Sequence, residues 1–191
     1  MPGLWSRRDC LKTSLTSPPL NGVIPSPLRL QGRQILIRRE LDMTAKDLTD
    51  KARKNEASSD EFFELGVVLL RKRYYAPAVK NLKSAIETWE GDEADLSQVH
   101  NALGFAYVGM NSLSAAIREY RTAVEFQPGY VVAWNNLADA YEKADQLEEA
   151  LEAYQEALRY DPENEIANRQ SGKIGTKVER MRGIPKLPRQ K

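Results

Sequence analysis

The chain offers few groups with which to make or break a covalent bond. It has one histidine, His100, and one cysteine, Cys10. A lone cysteine supplies neither an internal disulfide framework nor a multi-cysteine metal site. His100 stands 34 residues before Trp134, in the same frame position, so the spacing gives it a packing role rather than that of a general base or ligand. The patterns GxGxxG, GxxxxGK[ST], HExxH and GxSxG are all missing. The plentiful Asp and Glu residues of the predicted helices fall on wet faces as solvated charge, not as paired catalytic carboxylates. We therefore expect no catalytic residue, no cofactor and no metal. The chemistry that remains is non-covalent recognition by aromatic, aliphatic and amide side chains repeated at helical spacing.

That repetition has a readable frame. Trp134, Leu137, Ala138, Tyr141, Ala150, Tyr154, Ala157 and Pro162 form one frame. Thirty-four residues earlier the frame reads His100, Leu103, Gly104, Tyr107, Ala116, Tyr120, Ala123 and Pro128. Thirty-eight residues earlier again it reads Phe62, Leu65, Gly66, Leu69, Ala78, Leu82 and Ala85. This is the tetratricopeptide pattern of stacked helix–turn–helix units. Small residues (Gly66, Gly104, Ala138, Ala78, Ala116, Ala150) mark close helix approaches, and the large ones fill the space between neighbours. Asn111 and Asp145 are expected to cap the second helices, and Pro128-Gly129 and Asp161-Pro162 to end them.

The expected architecture is all-α: a solenoid of three repeats spanning 59–92, 97–130 and 131–164, within 59–164. A leading helix is read at 41–58 and a C-terminal capping helix at 165–182, followed by a basic tail at 183–191. Residues 1–40 read as a disordered tail or transit-like segment. Residues 1–39 carry seven Lys/Arg, six Ser/Thr and one acid, Asp9, which is a transit-peptide composition. Ser6–Lys12 is similar to a twin-arginine export signal, but polar residues follow where an apolar segment is needed. An ordinary tail or a mispredicted start remains the third reading. The run Val67–Leu70 is far shorter than the roughly 20 apolar residues of a transmembrane helix.

The net charge of +1 hides a division. Residues 1–58 carry 11 Lys/Arg against 6 Asp/Glu (+5), residues 59–164 carry 9 against 19 (−10), and residues 165–191 carry 8 against 2 (+6). Such an acidic body disfavours nucleic acid, and Met181–Lys191 has no aromatic on which a base could stack. The basic ends, Arg169–Lys191 above all, suit peripheral contact with an anionic membrane.

The segments Glu61–Leu70, Val99–Val108, Ala116–Val124 and Pro128–Glu142 carry a more specific resemblance. From about residue 50 to 181 the chain is similar to the small tetratricopeptide protein family of cyanobacteria and plastids that assists assembly and stability of photosystem I. The short acidic insert after the first repeat also matches. Family members typically carry an N-terminal membrane anchor, where this chain has a basic, proline-bearing stretch.

The resemblance implies a protein–protein scaffold acting on photosystem I subunits or other assembly factors, in the chloroplast at the stromal side of the thylakoid membrane. Two other readings stay open: a generic, cytoplasmic repeat adaptor unrelated to photosynthesis, and a regulatory domain acting on an enzyme or RNA.

In such arrays the first helix of each repeat lines the partner-binding groove. The groove positions are then Phe63, Val67 and Leu70; Asn101, Phe105 and Val108; and Asn135, Asp139 and Glu142. One part is apolar, the other amide and acid. That suits an extended or helical peptide with an apolar stretch and a basic end. Repeat co-chaperones that grip the C-terminal carboxylate of heat-shock proteins need cations and amides there, and Phe63 and Val67 offer neither.

Overall fold

The structure is a computed structural model that describes residues 27–54 and 56–183. Among them the backbone forms eight helices and no strand. The helices are α1 (Pro27–Arg53), α2 (Ser59–Arg71), α3 (Tyr75–Glu87), α4 (Glu93–Gly109), α5 (Leu113–Phe126), α6 (Val131–Lys143), α7 (Leu147–Tyr160) and α8 (Glu165–Gly183). The chain divides into two units at Arg39 and Glu40. Of the first, the described part is the 27–39 stretch of α1; the remaining helices belong to the second. Of the segment read as a disordered tail or transit-like, 1–40, residues 1–26 with Cys10 lie outside the described residues, as does the basic tail after Gly183, while 27–40 are helical.

The leading helix differs from its sequence reading at both ends. It opens at Pro27, where a proline costs nothing because a first-turn N–H has no intrahelical partner. It stops at Arg53, and Ser58 starts the next helix. The Ser58 hydroxyl accepts from the Glu61 N–H at 3.3 Å, and the Glu61 carboxylate accepts from the Ser58 N–H at 3.0 Å. This reciprocal capping box closes two of the helix's orphan donors. Glu61 also accepts from Lys51 Nζ at 2.8 Å, which ties α1 to α2.

The turns inside the repeats work differently from the sequence expectation. Neither Ser112 nor Gln146, the residues that precede α5 and α7, makes a side-chain cap. Asn111 and Asp145 therefore do not cap the second helices. They end the first ones, with φ of 59° at each and 61° at the equivalent Arg73. The Ser112 N–H reaches the Tyr107 carbonyl at 2.8 Å, and the Asn111 N–H reaches Val108 at 2.9 Å. Gln146 and Asp145 repeat this on Tyr141 and Glu142, as do Tyr74 and Arg73 on Leu69 and Leu70. Each is a Schellman closure, in which one left-handed residue reverses the chain and satisfies two terminal carbonyls.

Packing follows the small-residue frame. Ala78, Ala116 and Ala150 have no exposed surface. A Cβ on Gly66 would lie 2.6 Å from Leu82, and one on Gly104 would lie 2.5 Å from the Tyr120 ring. These glycines, and Gly109 against the Tyr75 ring, stand where helices cross too closely for a side chain. The core runs in three successive clusters: Ala45 and Leu48 of α1 with Leu65 and Val68; Ala78, Leu82 and Ala85 with Val99, Leu103 and Ala106; and Ala116 and Tyr120 through to Ala167, Ile174 and Val178 of α8. The last cluster buries the apolar stripe of the capping helix against α7.

Asn164 starts α8, its side-chain oxygen accepting from the Ala167 N–H at 3.0 Å. Asn164→Ala should lower stability by about 1 kcal/mol, the usual loss of an N-cap. Chemical denaturation against the parent checks this; an unchanged midpoint would mean that α8 is not held through its cap.

Two tyrosines near the centre add a pH dependence. Burial, and after it the Asp139 carboxylate, pushes the Tyr154 phenol up to about 12 and raises that of Tyr120. Both folded values exceed the ordinary 10.0, so above that pH the unfolded chain gives up protons that the folded chain keeps. This contribution to stability is constant below about pH 10 and is lost as pH rises from there through about 12. Phenolate absorbance followed beside circular dichroism tests it. Ionisation of all eight tyrosines with an ordinary midpoint and full helicity would refute the buried assignment.

Candidate functional site

The first helices of the repeats meet one another: α2 touches α4, and α4 touches α6. Direct contacts between the second helices α3, α5 and α7 are sparser. The layer therefore curves within this unit, with α2, α4 and α6 on its inner side. The nine sequence-predicted residues lie on these three helices, but they do not share one role.

Phe105 is the open aromatic. It is 51% exposed in the C-terminal half of α4, the helix flanked by both others. Phe63 is half-buried and packs against the core of the first two repeats, so its aromatic surface is largely spent on the fold. Leu70 is buried in the same cluster at 8% exposure, which makes it a core residue rather than a partner contact. Val67 is half-buried, and Val108 packs against the core of the second half.

The amides are tied to one another. Asn136 Nδ2 donates to Asn101 Oδ1 at 2.8 Å, and Asn101 Nδ2 donates to the Tyr130 hydroxyl at 3.3 Å. Asn135 Nδ2 donates to Asn164 Oδ1 at 3.1 Å, the oxygen that also caps α8. Asn101 thus ties the second repeat to the third and Asn135 ties the third to α8, and this network leaves less of them free for a partner. Asp139 holds Lys143 at 2.5 Å one turn along α6. Its carboxylate and that of Glu142 both act on the Tyr154 phenol, which places this end of the face under negative potential.

Sequence reasoning missed Asn136, Tyr130, Asn164 and Val132. Val132 is 45% exposed and precedes Asn135 by one turn of α6, so it adds an apolar side chain beside the polar end. Its signal was available: a valine where neighbouring repeats carry Asp60 and Gln98. His100 sits beneath, not on, this face. It is half-buried, its ring 5.5 Å from that of Phe126 and its Nδ1 2.8 Å from Glu119 Oε2, the imidazole N–H donating to the carboxylate. The pair joins α4 to α5. Among the described residues no three His, Cys, Asp or Glu side chains converge as metal ligands.

The curved stack of helix pairs with an apolar-to-acidic inner face defines a tetratricopeptide-repeat protein. Models of the tetratricopeptide repeat match residues 97–130 and 131–164. The chain is 47% identical over 152 residues to the tetratricopeptide repeat domain-containing protein PYG7, chloroplastic, of Arabidopsis thaliana. That match covers 80% of this chain and 50% of the relative, so the chain spans about half of that protein's length. It is 33% identical over 135 residues to the protein ycf37 of Guillardia theta, covering 70% of this chain and 76% of that one. The chain belongs to the ycf37 family of tetratricopeptide-repeat proteins.

Among solved structures it is similar to the first repeat domain of Spaghetti (RPAP3) bound to the HSP90 peptide SRMEEVD. The TM-score is 0.58 at 20% identity, covering 64% of this chain and 94% of that one, a likeness of fold. No helix of the described residues is long and apolar enough to cross a membrane.

Proposed function

We propose that this chain is a non-enzymatic scaffold that assists assembly of photosystem I at the stromal side of the thylakoid membrane. The observation that carries the scaffold reading is Phe105, a half-exposed phenylalanine at the centre of the inner face. Interface hot spots are aromatic-rich and cluster near the centre of a recognition face, which is where this ring stands. Family membership and the chloroplastic Arabidopsis relative support the plastid setting. The sequence resemblance to assembly factors supplies the photosystem.

The partner segment that suits this face is extended or helical. It places an apolar residue over Phe105 and Val132 and a basic one beside Asp139 and Glu142. The test uses the full chain as bait in detergent-solubilised thylakoid membranes. Photosystem I subunits or their assembly factors should be enriched over those of other complexes. Equal recovery of all complexes would indicate a generic adaptor. Capture that is nuclease-sensitive and steeply salt-dependent would indicate RNA.

A further inference from the structure

The capping helix α8 carries a second surface that the groove reading does not use. Ala167, Ile174 and Val178 bury one side of α8 in the array. At 3.6 residues per turn, Arg169, Lys173, Lys177 and Arg180 fall within an arc of about 80° turned away from that stripe. All four are exposed. They span about 16 Å along the helix at 1.5 Å per residue. The two acids of α8, Glu165 and Glu179, lie on the other flank, outside this arc. Ile166 falls inside it and is 50% exposed.

The pairing of charges is uneven. Lys177 Nζ lies 3.8 Å from Asp145, and Arg182 donates to Glu148 at 3.0 Å. Arg169, Lys173 and Arg180 make no ion pair among the described residues. The sequence beyond Gly183 adds Lys186, Arg189 and Lys191 and no acid. Residues 59–164 carry a net −10 and residues 165–191 a net +6, so the charge is segregated along the chain. A negatively charged plane attracts α8 and repels the repeats behind it, which fixes the orientation of approach.

We infer that this ridge of α8 is a peripheral docking surface for an anionic lipid bilayer. Four cations in a line engage headgroups in one plane, and exposed Ile166 dips among them. The buried apolar stripe keeps α8 in the array, so the contact is interfacial and reversible by salt. An RNA strand fits less well, because α8 has no aromatic side chain for base stacking.

The test floats full-length protein with vesicles of phosphatidylcholine alone or mixed with phosphatidylglycerol. Flotation should require phosphatidylglycerol and should drop at least tenfold when salt shortens the screening length to about 3 Å. The variant Arg169→Gln/Lys173→Gln/Arg180→Gln should lose it at least tenfold at low salt. Lys80→Gln/Lys83→Gln/Arg121→Gln removes equal charge from exposed positions of α3 and α5 and should keep it.

Equal loss in both variants would reduce the effect to net charge and overturn the site. So would flotation with neutral vesicles, or salt-insensitive retention. If instead no vesicle binds and the α8 variant loses an acidic protein in the thylakoid capture, the surface serves a protein and the lipid assignment is wrong. Circular dichroism of each variant separates these results from misfolding. The groove variant Phe105→Ala should float normally, so failure here and failure of the scaffold reading are distinguishable.

Discussion

Ala116→Leu and Ala150→Leu should each destabilise the array by about 1–3 kcal/mol, the usual range for overpacking a dense interior. Both alanines are fully buried, each at the point where a second helix meets the first helix of its own repeat. The added atoms have no void to enter. Ala116 lies one turn before Tyr120, whose ring already occupies the space above Gly104 so closely that a Cβ there would stand 2.5 Å away. Relief must come from pushing α4 off α5, and the strain then passes to α6 through the shared cluster. For a chain of this length each kcal/mol moves the thermal midpoint by roughly 2–4 °C. Differential scanning calorimetry reads the shift directly. Midpoints equal to the parent in both variants would show that the repeat register is misassigned.

The second large effect concerns recognition. Phe105→Ala should cut partner affinity by about 30-fold or more, the equivalent of the roughly 2 kcal/mol that a central aromatic hot spot carries. Stability should change little, because half of the ring faces solvent and it belongs to none of the core clusters. Asn135→Ala is a poorer probe than its position suggests. It removes the donor to Asn164 and so loosens the cap of α8, mixing stability with binding. Controls on the outer helices must avoid the same confusion. Glu148 accepts from Arg182 and is unsuitable, whereas Glu152 and Lys83 are exposed and make no ion pair among the described residues. Glu152→Lys and Lys83→Glu should leave thylakoid capture intact. Capture lost in those variants and kept in Phe105→Ala would put the recognition surface on the outer face.

The helical frame was legible residue by residue because a repeat imposes its packing on the sequence. An alanine or glycine recurs wherever two backbones approach, and an aromatic recurs where a gap must be filled, so Gly104 and Tyr120 announce one another from sixteen positions apart. Helix ends were less legible. Asn111 and Asp145 are good N-cap residues by type and were read so, yet both took the left-handed conformation that closes the preceding helix. One short polar residue serves either purpose, and the direction of the chain around it decides which. Arg73 shows the limit, since nothing in an arginine signals a φ of 61°.

The groove divides along the same line. The resemblance to repeat arrays implied that the first helices, α2, α4 and α6, line the groove, and helical periodicity then gave the residues sharing that face, apolar at one end and acidic at the other. Sequence alone could not apportion those residues between fold and partner. Phe63 and Phe105 have the same type on equivalent helices, and only the packed structure sends one against the core and leaves the other half exposed. Asn101 and Asn135 looked free until tertiary contacts spanning 29 and 35 residues bound them to Tyr130, Asn136 and Asn164. Exposure and hydrogen-bond partnership are properties of the space between elements. A linear sequence fixes which way a side chain points from its own helix; what it meets there is settled when the helices stack.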